Sequence, residues 1–228
     1  MPVAACPEAW AGWITNKWYN PANMPQKLAS VIVLKPGYAR WEGYASQRAC
    51  GTITLIQSTK KCMVDLGTAQ DKEVILKQLK AHGFTPEDID TVILTHSDVD
   101  HIGNMNLFPD ATFIGGNDVI QGDLFKEFFK ETYIVDENVS IIHTPGHDNR
   151  SITVLVKTAK GTVAITGDLF EYDKDWVTTD TSEAWEPWSQ DKELQEKSRA
   201  KIWKIADSIV PGHGDIFKVD KTVDLGKI

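Results

Sequence analysis

The chain has 228 residues, 42% of them hydrophobic, and a formal charge of -8 at pH 7. That length and apolar content supply one well-buried domain, and no shift of composition along the chain argues for a second. The acidic balance excludes a protein that grips nucleic acid through a broad basic face, because such binding rests on Lys and Arg neutralising phosphates. Cys6, Cys50 and Cys62 are odd in number and lack metal-finger spacing, so free thiols are expected. The N-terminus has no basic region leading into an apolar core, and no run approaches the length of a membrane span. The cytoplasm is therefore the expected compartment, with the nucleus as the other.

Residues 1–29 place Trp10, Trp13, Trp18 and Tyr19 among small and polar residues, and Pro21 and Pro25 break any long helix. The segment reads as an extension that packs on the core, or on a second copy in a homodimer, ahead of a single domain spanning 30–228. Strand-like runs follow: Val31 to Leu34, a turn at Pro36-Gly37, Thr52 to Ile56, a hairpin turn at Ser58–Lys61, and Cys62 to Gly67. Asp71 to His82 carries a helical stripe of Val74, Ile75 and Leu79, with Gly83 placed as a left-handed cap and His82 facing the helix dipole. Thr85-Pro86-Glu87-Asp88 combines an N-cap residue, a proline at the first helical position and acids in the first turn, which predicts a short helix. Thr91-Val92-Ile93-Leu94 is too continuously apolar for a half-exposed strand and reads as buried on both faces.

Directly after that strand stand His96, Asp98, Asp100 and His101, four metal-ligating residues within six positions, in a turn that a helix beginning near His101 is expected to close. Such a turn can serve two cations roughly 3.5–4 Å apart, alternate residues facing one ion and the adjacent pair the other. Downstream, Ala111 to Gly116 is a strand, and Asp118 to Thr132 reads as an amphipathic helix or lid. Val139 to His143 is a strand that runs through Pro145-Gly146 to His147, and His143 is expected to pack beside the site. Ile152 to Val156 and Thr162 to Thr166 are strands, the second ending at Gly167-Asp168. Ser189 to Ala206 is a helix with Leu194, Ile202 and Ile205 on one face, and Ser208 to Val210 is a strand ending in Pro211-Gly212-His213. A strand that ends in a turn bearing a metal-ligating side chain thus recurs along the chain.

The turn His96-x-Asp98-x-Asp100-His101, the later His147 after Pro-Gly, Gly167-Asp168, and the final Pro211-Gly212-His213 resemble the metallo-β-lactamase superfamily over roughly residues 30–218. The resemblance implies an α+β fold, an αββα sandwich of two mixed β-sheets with helices on the outside. It implies that His96 and His147 serve one divalent ion, that Asp100, His101 and His213 serve a second, and that Asp168 bridges them. Zinc is the expected metal. Asp98 stands where the superfamily has a second histidine; as a ligand it would make the site more neutral and shift its preference toward iron or manganese.

The part of the superfamily most resembled, through segments that include Leu169-Phe170-Glu171 and Ser198-Arg199, implies an endoribonuclease acting in histone pre-mRNA 3′-end processing. The expected chemistry is hydrolysis of RNA phosphodiesters, with Asp100 orienting the nucleophile or accepting its proton. The acidic surface restricts the substrate to a short single-stranded RNA, and Trp176, Trp185 and Trp188 are candidates to stack its bases, or else to pack on the core. A thioester or lactone hydrolase of glyoxalase II type, acting on a small-molecule substrate, is the alternative. A di-iron oxidoreductase and a protein with a purely structural metal are weaker readings.

Overall fold

The computed structural model describes residues 28–127, 131–175 and 185–225. The N-terminal half contributes β1 (Ser30–Lys35), β2 (Tyr38–Trp41), β3 (Gln47–Cys50), β4 (Ile53–Gln57), β5 (Lys61–Val64), helix α1 (Lys72–Ala81), β6 (Thr91–Leu94), β7 (Thr112–Gly115), β8 (Asp118–Gln121) and β9 (Leu124–Glu127). All but β2 and β3, which pair as a separate hairpin, form one sheet ordered β1-β4-β5-β6-β7-β8-β9. It is parallel only at β5–β6 and β6–β7. The C-terminal half contributes β10 (Thr132–Ile134), β11 (Val139–His143), β12 (Ile152–Thr158), β13 (Gly161–Ile165), helix α2 (Lys192–Ile205), β14 (Ser208–Val210) and β15 (Phe217–Lys218). These strands form a second sheet in chain order, parallel only at β13–β14.

Side-chain alternation explains how the layers stack. Ile56, Cys62, Val64, Ile93 and Ile114 point from the first sheet into Ile141, Ile152, Val154, Ile165 and Val210 of the second. The opposite face of the first sheet, with Ile53, Leu55, Met63 and Val92, is covered by Ile75 and Leu79 of α1. Ile142, Ala164 and Ile209 are covered in the same way by Ile202 and Trp203 of α2. Each such side chain removed from water contributes roughly 1.5–3 kcal/mol, which is why the central strands are apolar without interruption. The result is the αββα sandwich that the sequence implied.

Several elements differ from expectation. Residues 118–127 form the edge hairpin β8–β9 and not a helix: Gly122, at φ +61°, occupies a two-residue Gly-Asp turn, and Phe113 and Ile120 pair across the sheet. No helix starts at His101. Gly103 packs against the backbone of Thr68, and the Asn104 side chain donates to the carbonyls of Leu66 (2.8 Å) and Thr68 (2.7 Å), so the chain makes only a 3₁₀ turn over Met105–Leu107. The short helix after Thr85 is likewise a 3₁₀ turn, Pro86–Asp88, with Thr85 and Asp88 capping one another. In α2 the buried residues are Gln195, Ser198, Arg199, Ile202 and Trp203, whereas Ile205 is exposed and Leu194 only partly covered. Polar residues occupy that face because they bond to the loops of the site. Cys50 and Cys62 are free and buried. The aromatic extension, Cys6 and Trp176 lie outside the described residues.

Candidate metal centre

The loops that follow β6, β11, β13 and β14 converge at one end of the sandwich and bring together every ligand candidate named from the sequence. The Nε2 atom of His96 lies 3.5 Å from Asp168 Oδ2 and 3.6 Å from Asp98 Oδ2. His147 Nε2 lies 3.4 Å from the same Asp98 oxygen and 3.8 Å from Asp168 Oδ2. On the other side, His101 Nε2 is 3.2 Å from Asp168 Oδ1, His213 Nε2 is 3.2 Å from Asp168 Oδ2, and each is 3.9 Å from Asp100 Oδ2. His96, Asp98, His147 and Asp168 form one group of donor atoms within 4.8 Å of one another, and Asp100, His101 and His213 form another. Asp168 touches both. Asp98 turns its carboxylate inward although its side chain is 57% exposed, so it stands at the rim of the first group.

A shell of fixed partners sets which nitrogen each ring presents. Asp65 follows β5, the parallel neighbour of β6, and takes a left-handed backbone at φ +52° that Asp tolerates better than most residues. Its Oδ2 accepts from Thr95 Oγ1 (2.7 Å) and meets His101 Nδ1 (2.8 Å), while Oδ1 accepts from the Thr95 amide (2.8 Å). Because Thr95 Oγ1 gives its proton to Asp65, it accepts from His96 Nδ1 at 2.9 Å. The Cys50 carbonyl holds His213 Nδ1 at 3.2 Å. Three imidazoles are thereby held with Nε2 turned to the cluster, the second-sphere arrangement typical of metal-bound histidine. Two glycines leave the room: a Cβ on Gly51 would meet the His101 ring at 2.6 Å, and one on Gly212 would meet Asp168 Oδ1 at 1.8 Å.

The segment carrying Asp168 is clamped from α2. The Arg199 guanidinium donates twice to the buried Asp175 (2.9 and 2.7 Å) and once to the Leu169 carbonyl (2.8 Å), and lies over the rings of Phe170 (4.2 Å) and Trp185 (4.7 Å). Asp175 Oδ2 also accepts from the Glu171 amide at 2.7 Å. Gln195 donates to the Asp168 carbonyl at 3.1 Å. Asp65, Glu171 and Asp175 were not read as site residues from the sequence. Asp65 carried the available signal, a carboxylate directly after an apolar strand; Glu171 stood in a segment of the resemblance that implied no role for it, and Asp175 carried nothing beyond its nearness to Asp168.

The electrostatics are those of a cation-seeking cluster. Burial and the nearby His101 depress the basicity of His96, but Asp168 and Asp98 outweigh them and raise it to about 9. Burial likewise opposes, and Asp168, Glu171 and Asp100 overcome it, to raise His213 to about 10. The imidazoles of His147 and His96, at 3.4 and 3.6 Å, hold the Asp98 carboxyl well below the usual range. Burial, reinforced by Asp168, pushes Glu171 up. Meanwhile His96 Nε2, His101 Nε2 and Asp168 Oδ1 are buried and make no hydrogen bond. Each such orphan costs roughly 1–3 kcal/mol unless a further partner engages it, and inward-facing imidazole and carboxylate donors are what divalent ions take. The residues therefore fit a metal pair.

A cleft of about 120 Å³ opens over the cluster, lined also by Ala39, Gln47 and Ala49 of the β2–β3 hairpin and by Trp188. Trp41 of the hairpin stacks on Trp188 at 5.6 Å, and both are more than 40% exposed. Trp185 is buried against Arg199 and is not among the residues that line the cleft. Arg40 and Arg48, opposite each other across the hairpin, alternate with Ala39 and Ala49 and so lie on the face turned from the cleft. Among the described residues no Lys or Arg lines it.

This fold and donor set are those of a metallo-hydrolase, and the chain belongs to the metallo-β-lactamase superfamily. A family model with that description matches residues 51–116. The kinship extends over most of the chain to metallo-β-lactamase domain-containing protein 1 of Xenopus laevis, 37% identical over 206 residues that cover 88% of this chain and 86% of that protein. Among solved structures, a Thermotoga maritima protein assigned to the metallo-β-lactamases superposes with a TM-score of 0.64 at 21% identity, covering 84% of this chain and 100% of that one. An N-acyl homoserine lactone hydrolase with product at its catalytic metal centre superposes at 0.56 and 16% identity, covering 80% and 89%. No helix among the described residues is long and apolar enough to cross a membrane.

Proposed function

We propose that the chain is a metal-dependent hydrolase that cleaves phosphodiester bonds in short single-stranded RNA. In this reading His96, Asp98 and His147 would hold one divalent ion, Asp100, His101 and His213 a second, and Asp168 would serve both. Zinc is the ion we assign, with iron or manganese the alternative that Asp98 favours. Bound there, the ions supply Lewis-acid polarisation of the scissile group and a more acidic water. Asp100 lines the cleft, and its carboxylate lies 3.9 Å from both His101 and His213, which suits it to receive the proton of the attacking water.

The observation that carries the substrate class is the exposed Trp41–Trp188 stack beside the cluster. Large exposed aromatic surface is costly to a protein that does not use it, and each base stacked on an aromatic ring contributes roughly 1–3 kcal/mol. With no Lys or Arg among the described residues that line the cleft, substrate charge is met chiefly near the scissile phosphate, so cleavage should depend weakly on salt. The lack of Lys and Arg among the described lining residues also favours a second reading, hydrolysis of an uncharged lactone or thioester. Turnover of a short labelled single-stranded RNA, an acyl lactone and a glutathione thioester, each with zinc and with manganese, separates the two. RNA cleavage with a shallow salt dependence, and a KM raised at least about fivefold by Trp188→Ala, supports the first; lactone or thioester turnover without RNA cleavage refutes it.

A further inference from the structure

Glu171 enters the cluster from outside the set that the sequence pattern supplies. It is 5% exposed, lines the cleft, and forms a third donor group with Asp168 and His213, their ligand atoms within 4.8 Å of one another. Among the described residues no hydrogen-bond donor reaches its carboxylate, and the nearest ionic partner is His213 Nε2 at 3.6 Å. Its position is nevertheless enforced from two sides: the Glu171 amide donates to Asp175 at 2.7 Å, and its carbonyl accepts from the His213 amide at 2.9 Å. A carboxyl group on so fixed a backbone, largely removed from water and without a donor, is desolvated at a cost that a cation would offset.

We propose that Glu171 is an additional ligand of the ion held by Asp100, His101 and His213. The inference rests on the metal-hydrolase reading above. Asp98, Asp100, Asp168 and Glu171 would then balance the charge of two divalent ions, and the second ion would have two histidines and three carboxylates around it. Zinc is satisfied by four ligands, which Asp100, His101, Asp168 and His213 already provide. Manganese and iron accept more oxygen donors, so Glu171 matters more to them than to zinc.

Calorimetric titration of the metal-free full chain with Mn²⁺ and with Zn²⁺, in wild type, Glu171→Gln and Glu171→Asp, tests this. Wild type should take up two equivalents of each. Glu171→Gln should keep its first-site affinity and lose at least about tenfold in second-site manganese affinity, with a clearly smaller loss for zinc. Glu171→Asp, which keeps the charge but not the reach, should behave like Glu171→Gln. Equal losses for both metals would make Glu171 a residue that acts through His213, and unchanged affinities would remove it from the site; either overturns the proposal. A crystal structure of the wild-type chain loaded with Mn²⁺ decides independently of any variant's folding. A Glu171 oxygen within about 2.5 Å of an ion supports the assignment, and one beyond about 3 Å overturns it. Wild-type protein that binds no divalent ion would overturn the hydrolase reading as well, whereas two bound equivalents indifferent to Glu171 would overturn this inference alone.

Discussion

Replacing Arg199 by methionine tests how the segment bearing Asp168 and Glu171 is held. The Arg199 and Asp175 side chains are 4% and 0% exposed, and two parallel hydrogen bonds join them. Methionine fills much of the same volume but leaves the Asp175 carboxylate buried without its cation and the Leu169 carbonyl without that donor. Breaking one side of a buried pair costs roughly 3–5 kcal/mol. At roughly 2–4 °C per kcal/mol for a domain of this size, the melting midpoint falls by about 6–20 °C. Removing the second charge as well, with Arg199→Met and Asp175→Asn combined, should recover at least about 1 kcal/mol, because the penalty lies mainly in the uncompensated carboxylate. Equilibrium urea unfolding of the metal-free proteins measures both, read at an unchanged slope. A single variant within about 1 kcal/mol of wild type, or a double variant no more stable than the single, would refute the reasoning.

Asp65→Asn removes the charged acceptor shared by Thr95 and His101 and should weaken zinc binding about 10–100-fold, most at the site that includes His101; a titration indistinguishable from wild type would deny Asp65 its orienting role. Asp98→His exchanges a half-exposed carboxylate for a longer neutral ligand and should tighten zinc at the first site about tenfold; identical stoichiometry and affinity would show that position 98 does not touch the ion. In the metal-free chain His96 and His213 keep their protons at pH 7, so metal loading should release protons, seen as an enthalpy that varies with the ionisation heat of the buffer. Their raised values also stabilise the metal-free fold. That contribution is complete below the unfolded value near 6.5 and is gone above the folded values of about 9 and 10, so metal-free stability from these groups should fall across that window, and a thermal midpoint that rises there would contradict it.

The sequence by itself made the individual strands and the ligand candidates legible, because both are written locally, whereas the sandwich was what the family resemblance implied. A short apolar run such as Thr91–Leu94 reads as a buried strand, and a ligating residue just past such a run is aimed by it: His96, Asp168 and His213 stand just beyond the ends of their strands. Periodicity failed where a tertiary partner outweighed it. Residues 118–127 carry enough charge to imitate an amphipathic helix, yet the edge of the first sheet and the Gly122-Asp123 turn make them a hairpin. The buried face of α2 was hidden because Gln195, Ser198 and Arg199 are polar, and their burial makes sense only beside the carbonyls of Pro145, Asp168 and Leu169. Only the tertiary structure decided that Asp65 orients His101, that Cys50 lends a carbonyl to His213, and that Glu171 faces the cluster. Those relations join residues 36, 163 and 42 positions apart, respectively. Sheet order and loop convergence bring such pairs together, and a local pattern holds no information about either.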